Sequence, residues 1–139
     1  MKKQIIMFVC AFSLLLGTPA YLVQAKAADI PITIQWLNAK TISGGITFSS
    51  NTADCYVMTA GNSDVVKIVG NYRLQVLNSN GTYSNHYTWS TITSYSNKQN
   101  FSGSCSVTNG KTYRLVANLV LTNSNNVSET IEVTFDETN

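Results

Sequence analysis

Apolar residues fall on alternate positions along most of this chain. Ile32, Ile34 and Trp36 open the series, Ile46 and Phe48 follow, and then Cys55, Val57 and Thr59. The alternation resumes at Tyr72, Leu74 and Val76, at Tyr87, Trp89 and Thr91, and at Phe101, Gly103, Cys105 and Val107. It ends with Tyr113, Leu115, Ala117, Leu119 and Leu121, and with Ile131, Val133 and Phe135. A period of two places these side chains on one face of a strand, which predicts strands with one buried face. No stretch holds the 3.6-residue period for three turns, and Val, Ile, Thr and Tyr dominate the apolar positions, so helix is not expected.

Turn chemistry divides the runs. Breaks are expected at Ser43-Gly44-Gly45, at Ala60 to Ser63, at Asn78 to Gly81, at Ser96-Asn97, at Asn109-Gly110 and at Asn123 to Asn126. Asn80-Gly81 and Asn109-Gly110 are candidate type I′ hairpin turns, because both central residues of that turn need positive φ. Seven or eight short strands, joined by connections too short for crossover helices, predict an all-β fold: a single antiparallel two-sheet sandwich.

The N-terminus changes the picture. MKKQ precedes the apolar run IIMFVCAFSLLL, and Ala25 and Ala27 form an A-x-A pattern, the three parts of a secretory signal peptide. The run is shorter than the ~20 residues a bilayer span needs. Residues 1–27 are therefore expected to be removed, with cleavage after Ala25 as the second fit, and 28–139 to form one domain. Cys10 lies inside the apolar run without small residues before it, which does not fit a lipidation site. Cleavage takes away Lys2, Lys3 and Lys26, leaving six basic residues against seven acidic ones. Such a chain has no charge surplus for nucleic acid or for an anionic membrane, and neither is an expected partner. No LPxTG-like sorting sequence is present, so release into the medium is the expected localisation.

Cys55 and Cys105 remain after cleavage. In an oxidising compartment an even pair predicts a disulfide, with two free buried thiols as the alternative. Closing a loop of this length is worth roughly 4 kcal/mol in the chain-entropy model.

Reactive groups are few. His86 is the only histidine, no nucleophile motif surrounds a serine, and its strand position beside Tyr87 reads as a solvated side chain. No paired His, Cys-x-x-Cys or calcium-loop spacing is present, and Glu129, Glu132, Asp136 and Glu137 read as a solvated acidic face. No catalytic residue, metal site or cofactor is expected. The sequons at Asn80, Asn100 and Asn126 match what an Asn- and Ser-rich chain gives by chance. The informative feature is aromatic. Tyr83, Tyr87, Trp89 and Tyr95 share one parity, so they either present a face that stacks on sugar rings or, for Tyr87 and Trp89, cover the core.

Gly110-Lys111-Thr112-Tyr113-Arg114-Leu115 is similar to the start of a late strand in immunoglobulin-like and fibronectin type III-like domains, whose corner Tyr bonds back to backbone. That resemblance implies that the Cys55 and Cys105 strands are the second and fifth and are neighbours in one sheet. More widely, ISGGITFSSNTADCYV, VVKIVGNYRLQVLNSNGTY and FSGSCSVTNGKTYRLVANLVL resemble small secreted proteins of Gram-positive bacteria, Firmicutes in particular. The resemblance implies secretion and an immunoglobulin-like sandwich, and it transfers no active-site residue. A secreted, non-enzymatic binding module is the reading that results. Its expected partner is carbohydrate, held by Tyr87 and Trp89, or another extracellular protein that adds a strand to a sheet edge. A small hydrolase using His86 is the third reading.

Overall fold

The computed structural model describes residues 35–139. The expected signal peptide and cleavage site, Cys10 and the Ile32–Ile34 part of the first expected strand lie outside the described residues. Every element within them is a strand: β1 (Ala39–Ser49), β2 (Thr52–Gly61), β3 (Val65–Leu77), β4 (Tyr83–Thr88), β5 (Ile92–Ser94), β6 (Lys98–Ser106), β7 (Thr112–Asn123) and β8 (Ser128–Thr138).

All pairings are antiparallel. A small sheet has the order β1-β2-β6; the larger runs β4-β3-β7-β8, with β5 also on the β4 side of β3. Two sheets with one apolar face each bury those faces against one another, giving the expected immunoglobulin-like sandwich. Val57, Cys55 and Phe101 come from the small sheet, and Ile68, Tyr72, Leu74 and the whole Tyr113–Leu121 alternation from the larger. The corner tyrosine is in place: Tyr113 Oη accepts from the Thr108 amide at 2.8 Å. Trp36 packs against the core ahead of β1 rather than within a strand.

Three turn expectations need correction. Ser43-Gly44-Gly45 is no break but the middle of β1. Gly44 is there because the Phe135 ring of β8 lies 2.7 Å from where a Cβ would stand, and Gly45 because the Tyr56 ring lies over it. Asn80-Gly81 does close a hairpin, yet only Gly81 has positive φ, at 82°. The Asn78 amide donates to Thr82 O and the Gly81 amide to Asn78 O, the pattern of a three-residue loop with one left-handed residue rather than type I′. Asn126, at φ 59°, fills the same place between β7 and β8. Asn109-Gly110 joins the two sheets and closes no hairpin.

Candidate functional site

The aromatic run divides at a bulge. Tyr87 stands opposite Leu74 and Asn85 opposite Gln75, so His86 is an extra, unpaired residue in β4. An inserted residue shifts the side-chain alternation by one, and Tyr83 and Tyr87 point to opposite faces although they share sequence parity. Tyr83 lies on the outer face of the larger sheet, with the Arg114 guanidinium 3.8 Å from its ring centre. Tyr87 lies on the Leu74 side, at the open edge of the sandwich. Tyr95 stands apart beyond β5, 83% exposed.

Trp89 is held on several sides. Its amide donates to Tyr72 O at 3.0 Å, and its ring meets Phe101 edge-on at 5.1 Å. Gly103 of β6 makes room for the indole, since a Cβ there would stand 2.5 Å from Nε1. Phe101 in turn stacks on Tyr72 at 4.0 Å. Trp89 therefore covers the core, as one of its two expected roles required. Tyr87 meets the outer part of Trp89 at 5.0 Å and stays 46% exposed, a ring braced from behind and open in front.

His86 is exposed, as its solvated reading expected, and the bulge also gives it partners. Its Nε2 donates to Ser106 O of β6 at 2.7 Å, and its ring meets Tyr113 edge-on at 5.4 Å. The imidazole ties the edges of the two sheets together.

Cys55 and Cys105 lie on β2 and β6, neighbours in the small sheet as the resemblance implied, although the Cys105 strand is the sixth because β4 and β5 separate at Trp89–Thr91. Cys55 stands opposite Gly103 and Cys105 opposite Ala53, so the pair is diagonal. Diagonal Cα atoms lie roughly 7–8 Å apart, at or beyond the ~4.4–6.8 Å usual for a disulfide. Both residues are free thiols in this structure. Burial, with smaller contributions from Cys105 and Asp54, pushes the Cys55 thiol up to about 12, and burial raises Cys105 as well. Thiols held neutral in this way are poor nucleophiles.

The expected acidic face is organised rather than merely solvated. Glu129 accepts from the amides of Leu37, Asn38 and Ala39, pinning the entry to β1. Glu132 accepts from Asn118 and pairs with Arg73, and Asp136 pairs with Arg114 at 2.6 Å. These partners lower both carboxyls, Asn118 being the main cause at Glu132 and Arg114 at Asp136. No group of three or more His, Cys, Asp or Glu that could hold a metal occurs among the described residues.

Two features escaped sequence reasoning. Gln99, 2% exposed, accepts from Tyr72 Oη at 2.7 Å and donates to Ile68 O, Ile92 O and Ser94 Oγ, joining β6 to the opposite sheet. The second is the outer face of the small sheet. Its central rows set Met58 between Ser43 and Asn100, and Tyr56 between Gly45 and Ser102. The signal lay in β2, where Tyr56 and Met58 alternate with Cys55, Val57 and Thr59 to make a strand apolar on both faces.

No protein-family model matches the chain, and no curated protein sequence matches it. Among solved structures, the chain is similar to Spo0M, a sporulation control protein from Bacillus subtilis, at a TM-score of 0.38 and 10% identity, covering 70% of this chain and 48% of that one. It is also similar to the CARDB domain of the PF1109 protein from Pyrococcus furiosus, solved in complex with di-metal ions, at a TM-score of 0.33 and 17% identity, covering 73% and 96%. The chain spans about half the length of the Spo0M chain. Likenesses this distant say nothing of ligand or activity.

Proposed function

We propose that this protein is an exported, non-enzymatic binding module that recognises carbohydrate at the open edge of its sandwich. The observation that carries the reading is Tyr87, a half-exposed ring fixed in place by Trp89. An aromatic ring whose rotamer is already set loses little entropy when a sugar ring stacks on it. The reactive groups have structural duties: His86 bridges the sheets, the thiols are buried or half-buried, and Glu132 and Asp136 sit in ion pairs. Native gels cast with individual polysaccharides test the reading. Retarded migration that is weakened in Tyr87→Ala, with the fold unchanged by circular dichroism, is the expected result; equal mobility of wild type and Tyr87→Ala in every gel overturns it.

Export is part of the same proposal and rests on the signal-like N-terminus. N-terminal sequencing of protein recovered from the medium should begin at Ala28. Retention of the full chain inside the cell would sink the export reading. In an oxidising compartment the diagonal Cys55–Cys105 pair closes with a small shift of β6 on β2. Alkylation under denaturing conditions should then label neither thiol of the exported protein, and labelling of both would show that they stay reduced.

A further inference from the structure

The geometry points to a second binding site, for a neutral polysaccharide chain, on the outer face of the small sheet. The inference goes beyond the Tyr87 reading and stands on different residues. Tyr56 lies across Gly45 of the neighbouring strand, with ring atoms 3.2 Å from where a Cβ would stand there, and the ring is 42% exposed. A side chain at position 45 would push the ring upright. Met58, half exposed, continues the apolar stripe one row along β2. Beside it is an open depression of about 250 Å³, lined chiefly by Thr41, Ser43, Met58, Ala60, Lys98 and Asn100.

The chemistry of this face selects among occupants. The central rows carry no charge. Asp54 closes one end and already accepts from Ser104 Oγ at 2.5 Å, while Lys98 closes the other. Three row steps separate those ends, about 20 Å along the strands. Between them lie hydroxyl and amide groups flanking the Tyr56–Met58 stripe, which suits a ligand with C–H faces and many hydroxyls and no net charge. A charged polymer lying along the face would gain at one of these ends what it loses at the other, so neither sign is favoured over a neutral chain.

Area argues against a second copy of this chain. Three strands about 4.8 Å apart and four rows give a face on the order of 400 Å². That is about half of the ~800 Å² per partner that a stable protein interface uses. A single extended oligosaccharide fits the footprint.

Titration of 15N-labelled protein with cellohexaose, chitohexaose and maltohexaose, followed by amide chemical shifts, reads this site directly. Saturable shifts at Tyr56, Met58, Asn100 and Ser102 with at least one of the three are expected. Tyr56→Ala should weaken that binding about tenfold, the loss appropriate to one aromatic contact, while Tyr87→Ala leaves it unchanged. Asn100→Ala and Met58→Lys serve as further variants if Tyr56→Ala fails to fold. Shifts confined to Tyr87 and Trp89 would overturn the second site and leave the first standing. Shifts confined to the small sheet would do the reverse. An absence of shifts with all three sugars overturns the inference.

Discussion

Replacing Gln99 by Leu should be among the most damaging single changes available to this protein, although the new side chain is apolar and of similar size. Gln99 sits between the sheets and makes four hydrogen bonds, to Tyr72 Oη, Ile68 O, Ile92 O and Ser94 Oγ. Ser94 is half-buried and can turn to water, but Tyr72 and Ile68 are fully buried. Each buried polar group left without a partner costs about 1–3 kcal/mol, and the added apolar surface returns roughly 1 kcal/mol. A net loss of about 2–4 kcal/mol follows, a large fraction of the ~5–15 kcal/mol typical of a domain. Urea unfolding followed by tryptophan fluorescence should show a lower midpoint with an unchanged slope. Adding Tyr72→Phe removes one orphaned group, so the double variant should regain about 1 kcal/mol over Gln99→Leu alone, whereas Tyr72→Phe in the wild type should destabilise. A wild-type midpoint for Gln99→Leu, or strict additivity of the two changes, would refute the network.

Trp89→Ala should cost about 2–4 kcal/mol, because it empties the space over Gly103, while Tyr87→Ala should cost under about 1 kcal/mol; thermal melts of the two variants separate a ring that fills the core from one that faces solvent. Thr59 Oγ1 is buried and has no hydrogen-bond partner, so Thr59→Val should raise stability by about 1 kcal/mol in the same melts, and a lower melting temperature would contradict that assignment. With both cysteines kept reduced, stability should fall on the alkaline side. Cys55 is raised from 9.0 to about 12 and Tyr72 from 10.0 to about 12, burial being the main cause for both. The unfolded chain then releases these protons first, and the stabilisation they give is complete below about pH 9 and lost as pH rises towards about 12. Cys55→Ala should remove the part of that fall that begins near pH 9, and an unchanged profile would show that the thiol does not contribute.

Strand existence was legible because period-two alternation has one simple cause, a face buried against the opposite sheet. The Tyr113–Leu121 run shows it: all five alternate residues are buried, and the corner hydroxyl bonds back to Thr108. Glycine was harder to read, since the residue that permits a turn also permits close packing. Gly44 and Gly45 resemble a break and instead admit Phe135, brought by the packing of the opposite sheet, and Tyr56, brought by strand pairing, neither of them a neighbour in sequence. The His86 bulge was hidden for a related reason. Nothing in NHYT announces an extra residue, which is defined only by the register against Leu74 and Gln75, yet it decides that Tyr83 and Tyr87 do not share a face. Gln99 reads as one more polar residue until Tyr72 and Ile68 are brought to it from the other sheet.

Sedimentation of the mature protein with insoluble cell wall and a panel of insoluble polysaccharides tests the central claim most directly. The account predicts saturable retention on at least one polymer, competed by its soluble oligosaccharide and reduced when both Tyr56 and Tyr87 are replaced by Ala in a folded protein. A protein that stays in the supernatant with every polymer, or is retained equally after both rings are removed, would contradict it.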